Sequence, residues 1–160
     1  MRGFSSKAAK ENENVKEVSE HVPTHLKPKT DEEFGHYLAG LIDGDGCFAR
    51  YTLVIAFNSL DASLAYYIKK RIGYGTVRKV KGKNAVLYKL SGREGLEKVI
   101  DLVNGKLRVQ NKIDSLEKNI LNLFKEPLNL KHKPYLNTSS NLDNHWLAGF
   151  IDADGSFQIK

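Results

Sequence analysis

Apolar positions first fall into a helical rhythm at Phe34, Tyr37, Leu38, Leu41 and Ile42, three and four residues apart. Thr30 with Glu33 three residues later is a capping-box pattern just ahead of that run, and Gly44-Asp45-Gly46 closes the predicted helix. Cys47 to Ser59 is rich in aromatic and β-branched residues and reads as one or two strands. Asp61 to Ile72 predicts a short amphipathic helix ended by Gly73. Tyr74–Lys81 and Asn84–Ser91 predict two strands around the turn pair Gly82-Lys83. Two further helices follow, from Gly92 to about Val103 and from about Val109 to Phe124. Alternation in the strands separates Leu53, Ile55 and Phe57, suited to a core, from Thr52, Val54, Ala56 and Asn58. By the same rule Thr76, Arg78 and Val80 share one face, as do Leu87 and Lys89.

The flanks have a different texture. Residues 1–33 are polar, carry Pro23 and Pro28, and read as a tail. The ordered unit spans 34–125. Residues 126–144 form a linker, with Pro127, Pro134 and the run Asn137-Thr138-Ser139-Ser140-Asn141. Asp143 or Asn144 can cap a new helix at His145, and a strand is expected to begin as the sequence reaches Lys160.

The new helix repeats the first one. HYLAGLIDGDGCF at 36–48 and HWLAGFIDADGSF at 145–157 agree at nine of thirteen positions, with a constant offset of 109 residues. That offset marks duplicated units; solenoid repeats have periods of about 20–50 residues. Ala39, Gly40 and Gly44 place small residues on one stripe, and Ala148, Gly149 and Ala153 do the same in the second copy. Small residues four apart let two helix backbones approach closely, so the two helices are expected to pack against each other about a pseudo-two-fold axis. Asp43 and Asp45 fall in the last turn of one helix, and Asp152 and Asp154 in the last turn of the other. Anions there oppose the helix dipole by roughly 0.3–1 kcal/mol each, which a bound cation offsets. Parallel packing brings the acidic ends together as an all-oxygen site suited to a hard ion such as Mg²⁺. For Asp43 and Asp152, a role in a helix-stopping Asp turn competes seriously with ligation. For Asp45 and Asp154 ligation is the stronger reading.

Composition narrows the partners. The 160 residues are 41% hydrophobic and 28% charged, a globular balance, with a formal net charge of +6 that favours polyanions. The single cysteine, Cys47, permits neither an intrachain disulfide nor a cysteine-based zinc site. No apolar run approaches the ~18 residues of a membrane span. No signal-peptide core follows the amino terminus, and Glu11, Glu13, Glu17 and Glu20 are unlike a transit peptide. The chain is expected to be soluble, in a reducing compartment.

LAGLIDGDG (38–46) and LAGFIDADG (147–155) closely resemble the motif that names the LAGLIDADG homing endonucleases, and the order of elements from Phe34 to Phe124 is similar to that family's half-domain. The resemblance implies an α+β fold: an αββαββα half-domain with a four-stranded antiparallel DNA-binding saddle, followed by the motif helix of a second half whose sheet is absent. It implies that the motif helices form the interface between halves, and that Asp45 and Asp154 bind divalent metal between the scissile phosphates, helped by the carbonyls of Gly44 and Ala153. The implied reaction is metal-dependent hydrolysis of double-stranded DNA at a long site, with basic assistance from Lys106, Arg108 or Lys112. On the saddle, Arg50, Asn58, Arg78 and Lys89 are candidates for base contacts, with Thr76 on the same face as Arg78. Lys69, Lys70, Arg71, Lys79, Lys81 and Lys83 are candidates for phosphates. The family also includes RNA-binding maturases, so intron RNA is an alternative partner, and a non-catalytic DNA-binding module is a third reading. A second half-domain is expected from a companion polypeptide or a homodimer partner. The resemblance alone implies an organellar origin, mitochondrion or chloroplast.

Overall fold

A computed structural model describes residues 28–140 and 145–156, with side chains in the last helix as far as Ala153. Expectations for residues 1–27, for the cap at Asp143 or Asn144, for the Asp154 side chain and for the strand from Phe157 lie outside the described residues.

Helix α1 (Asp31–Asp45) opens on the expected capping box. Thr30 Oγ1 accepts the Glu33 N–H at 3.1 Å, and the Glu33 carboxylate reaches back to the N–H groups of Lys29 and Thr30. At the other end the Gly46 N–H donates to the Ile42 carbonyl, and the chain passes directly into β1 (Gly46–Ala49). The region left as one or two strands is a hairpin, β1 and β2 (Thr52–Asn58), turned at Arg50-Tyr51. Tyr51 takes a positive φ of 58°, held by its N–H to the Asn119 carbonyl and its hydroxyl to the Leu123 carbonyl, each 2.9 Å. After a 3-10 turn at Ser59–Asp61 come α2 (Ala62–Ile72), β3 (Thr76–Lys79) and β4 (Ala85–Ser91), then α3 (Arg93–Val103) and α4 (Gln110–Leu116). Strand β3 is shorter than the expected Tyr74–Lys81 because Gly75, at φ 105°, lies against the Tyr88 ring and bends the chain before Thr76. The last helix was expected to run unbroken to Phe124; past Leu116 it widens into a π turn at Glu117–Leu121.

The four strands form one antiparallel sheet in the order β1-β2-β4-β3. Its two faces separate as the alternation requires. Leu53, Ile55 and Phe57 of β2 and Val86, Tyr88 and Leu90 of β4 are buried in one core with residues of α1, α2 and α3. On the opposite face the register lines up Cys47, Val54, Lys89 and Thr76 across the sheet, and Ala56, Leu87 and Arg78 one row further along. The face is only part polar: Val54, Ala56 and Leu87 are half-buried between exposed Arg78 and Lys89.

Residues 126–140 of the linker have no regular structure but are not loose. The outward stripe of α3 and its cap (Arg93, Glu97, Asp101, Asn104) binds successive backbone groups of the linker. Arg93 donates to the carbonyls of Glu126 and Pro127, while Glu97 and Asp101 accept the N–H groups of Asn129 and Lys131. The Asn104 amide donates to His132 and Lys133 and accepts from Tyr135. With Leu128 buried beneath it, this strap carries the chain along α3 toward α5 (His145–Ser156), which packs along α1.

The two sheet faces make a direct test of register. Leu53→Ala, fully buried, is expected to cost about 2–5 kcal/mol. Its neighbour Val54→Ala on the outer face should cost at most about 1 kcal/mol. Urea unfolding of the two variants checks this, and equal losses would contradict the register.

Candidate functional site

The site is built where α1 and α5 meet. Their approach is so close that a methyl group at Gly40 would strike the Trp146 carbonyl oxygen, and one at Gly149 the Tyr37 carbonyl oxygen. At Gly44 an added Cβ would lie 2.9 Å from the Ala153 Cβ. Thus the C-terminal turns of the two helices, which carry Asp45 and Asp154, are in contact. Ala39 is fully buried and Ala148 partly buried against the same core, so the whole predicted stripe lies in the helix pair or its core.

The other two aspartates have a different task. Trp146 Nε1 donates to Asp43 Oδ2 at 2.8 Å, and the Tyr37 hydroxyl donates to Asp152 Oδ2 at 2.7 Å. Tyr37 and Trp146 are one 109-residue offset apart, as are Asp43 and Asp152, so the two bonds are copies related by the pseudo-two-fold axis. Each aromatic residue enters the opposite helix's acidic turn. Asp43 also accepts the backbone N–H groups of Arg108 at 2.7 Å and Val109 at 3.3 Å, and is 6% exposed. Burial raises its pKa, opposed by these hydrogen bonds. Burial, and then the Asp152 charge, push the Tyr37 phenol well above its usual range. Neither Asp43 nor Asp152 therefore belongs to a simple helix-stopping turn. The sequence did hold the signal: an aromatic residue with a polar hydrogen sits six positions before the first aspartate in both repeats.

The three basic candidates separate. The Lys112 ammonium donates to the Gly46 carbonyl at 2.7 Å, one residue past Asp45. Lys106 pairs with Glu32 at 3.4 Å near the start of α1, about 20 Å from the Asp45 turn at 1.5 Å per helical residue. Arg108 is committed to structure: its guanidinium donates to the Ser139 carbonyl at 2.6 Å and lies 5.0 Å from the centre of the Trp146 ring. A cleft of about 350 Å³ lined by Asp31, Glu32, Lys98, Asp101, Lys106 and Lys131 belongs to the far end of α1, away from the motif ends.

An all-oxygen donor set suits a hard cation: the Asp45 carboxylate, with the carbonyls of Gly44 and Ala153 in the last turns of their helices. Among the described residues no group of three or more His, Cys, Asp or Glu side chains gathers to hold a metal.

On the outer sheet face, Thr76, Arg78 and Lys89 are exposed and adjacent across β3 and β4. Arg50 is exposed at the β1–β2 turn, and Lys81 and Lys83 in the β3–β4 turn. Lys79 pairs in register with buried Val86, so it belongs to the helix side at the sheet's edge. Asn58 Oδ1 accepts the Leu60 N–H at 3.0 Å and caps the 3-10 turn, so a bidentate contact to adenine has to share that oxygen with the cap. In α2, Lys69 and Lys70 are exposed, whereas Arg71 is turned to the carbonyls of Pro28 and Thr30 and the Phe34 ring.

The profile of the LAGLIDADG endonucleases matches residues 38–125. The chain belongs to this family. It is 54% identical to an uncharacterized cox1 intron-2 protein of Schizosaccharomyces pombe, over 91% of this chain and 46% of that protein. It is 33% identical to the intron-encoded DNA endonuclease aI3 of Saccharomyces cerevisiae, over 99% of this chain and 44% of the relative. The intron-encoded RNA maturase bI4 of the same yeast is 36% identical over 77% of this chain and 19% of its own length. The structure is similar to that of the LAGLIDADG meganuclease I-AabMI bound to uncleaved DNA, with 27% identity, a TM-score of 0.52, and coverage of 73% of this chain and 56% of the other. The chain thus spans less than half the length of these curated relatives.

The helix contact and its pH dependence can both be measured. Gly40→Leu is expected to force the backbones apart and release α5. Fluorescence of Trp146, the only tryptophan, then shifts to that of a solvated indole; an unshifted spectrum and unchanged melting would contradict the close packing. Because burial raises the folded-state pKa of Tyr37, its contribution to stability is complete below the ordinary phenol value of 10.0 and is lost as pH rises above it. Tyr37→Phe should therefore be less stable than the parent at pH 7 by about 1.5–3 kcal/mol, the worth of a charge-assisted bond, and flatter in stability above pH 10. Denaturant titrations at both pH values check this.

Proposed function

We propose that the chain supplies the first DNA-reading half and the paired motif helices of a site-specific double-strand DNA endonuclease. The observation that carries this reading is the contact of the two motif-helix ends at Gly44 and Ala153, with the Lys112 ammonium beside the Asp45 turn. Asp45, with Asp154 at the equivalent position of α5, holds a divalent cation, Mg²⁺ or another hard ion, together with the carbonyls of Gly44 and Ala153. Such an ion supplies a water more acidic than bulk and charge stabilisation at the leaving oxygen. Lys112 adds positive charge at the phosphate, and the close helix contact keeps the two carboxylates in one site. Arg50, Arg78, Lys89 and Thr76 read bases in the major groove, while Lys81 and Lys83 hold the phosphate backbone.

A second sheet completes the molecule. Leu147 and Ile151 on α5 are 36% and 56% exposed, although their repeat counterparts Leu38 and Ile42 are fully buried. A second half-domain, from the rest of a longer polypeptide, a companion chain or a second copy, covers that face. The kinship with intron-encoded proteins, a cox1 intron product among them, supports an intron-encoded protein of an organelle, in the first instance the mitochondrion. Among the described residues no helix is long and apolar enough to cross a membrane. Kinship with an RNA maturase favours a second reading, in which the basic sheet face binds intron RNA.

The test is cleavage of a duplex library with and without Mg²⁺, by the chain alone and by the polypeptide that completes its second half. Asp45→Asn should abolish cutting and leave DNA affinity unchanged or tighter. Lys112→Met should slow cutting by about 10²-fold or more with affinity retained. Metal-independent cutting, or Asp45→Asn cutting at the parent rate, would remove Asp45 and the ion from the mechanism. Tight RNA binding with no cleavage would favour the second reading.

A further inference from the structure

We infer that Asp43 is a positioning residue, whose carboxylate ties the seating of the second motif helix to the placement of the Lys112 ammonium beside Asp45. The inference deepens the endonuclease reading and rests on it for the role of Lys112.

Helix α4 begins without a side-chain cap of its own: Val109 is its N-cap residue and offers no side-chain acceptor. Its entry is instead held from α1, by bonds to the two residues just ahead of the first helical turn. Asp43 Oδ2 takes the Arg108 N–H at 2.7 Å and Oδ1 the Val109 N–H at 3.3 Å. Lys112 follows three residues later, its N–H bonded to the Val109 carbonyl at 3.0 Å, so the place where α4 starts sets where the Lys112 stem leaves the backbone. From there the ammonium reaches the Gly46 carbonyl at 2.7 Å. The same Oδ2 also accepts Trp146 Nε1 from α5, at 2.8 Å. Trp146 is 8% exposed and stacks on Phe150 with ring centroids 5.0 Å apart, so it arrives with α5 as a rigid unit. When α5 is seated, Asp43 is shut away from water with three donors, and the start of α4 is held. Without α5, water competes for the carboxylate and the Arg108–Val109 backbone loosens. The lysine of the first half thus takes its place only once the second motif helix is docked.

The test reads Lys112 without needing activity. The full chain is labelled with an amine-acylating reagent, and the rate at each lysine is followed by peptide mass spectrometry. Asp43→Ala is expected to speed acylation of Lys112 by about fivefold, the protection that one hydrogen bond provides. Rates at exposed Lys83 and Lys89 should not change. Trp146→Phe, which spares the bonds to Arg108 and Val109, should give a smaller rise at the same lysine. The indole N–H resonance of Trp146 reports whether its bond to Asp43 is lost. If Asp43→Ala does not fold, Asp43→Asn, which keeps one acceptor oxygen, and Trp146→Phe carry the test. Lys112 unchanged in folded variants that have lost the indole bond would overturn the inference, leaving Asp43 as a brace between helices. Cleavage separates this from the enzyme reading. Lys112→Met cutting at the parent rate sinks only the role of the lysine in cutting, and the labelling result still decides its placement. If Lys112→Met cuts slowly, adding Asp43→Ala should slow it by a smaller factor than Asp43→Ala slows the parent; fully multiplying losses would overturn the coupling.

Discussion

The contact on which the structure depends is the backbone-to-backbone approach of α1 and α5. Glycine at 40 and 149 is required because the facing atoms are main-chain carbonyls, which cannot move aside as a side chain can. Close approach brings the two helix ends together at Gly44 and Ala153. Two polar bonds cross the same contact. The aromatic residue near the start of each helix bonds the first aspartate in the last turn of the other. These crossed bonds fix the register of one helix along the other and stop them sliding. A sliding interface would separate the Asp45 turn from its counterpart; a registered one keeps them in one site.

The same arrangement divides the four aspartates. Asp43 and Asp152 lie within the interface and hold the two motif helices together. Asp45 lies one turn-end further on, where helix carbonyls lack intrahelical partners and a cation is favourable. Two acidic residues spaced by one thus face different surroundings because a helix rotates them by about 200° relative to each other. Asp43 also holds the backbone at Arg108, just ahead of the helix from which the Lys112 ammonium reaches the Gly46 carbonyl beside Asp45.

Much of this was legible in the residues. The capping box, the alternation in β2 and β4 and the small-residue stripe are local patterns with one physical meaning each, and the structure reproduces them at the expected positions. What was not legible depends on partners distant in sequence. The linker looked unstructured because its order comes from α3 side chains about thirty residues earlier binding its backbone, and periodicity is blind to such bonds. Lys106, Arg108 and Lys112 look equivalent as cations; only the path of the chain past α1 places one at each end and one beneath Trp146. The polarity of the outer sheet face was legible too, including Val54, Ala56 and Leu87, whose half-burial reflects cross-strand neighbours rather than a core.

Whether the two motif-helix ends form one cation site is read most directly by a Mn²⁺ titration of the isotopically labelled chain, following paramagnetic broadening of individual backbone amide signals. Gly44 and Asp45 of α1 and Ala153 of α5 are expected to broaden together, at the same concentration of added ion, and Asp45→Asn to abolish broadening on both helices. Broadening at the Asp31, Glu32 and Asp101 end of the molecule instead, or on one motif helix without the other, would contradict a shared site.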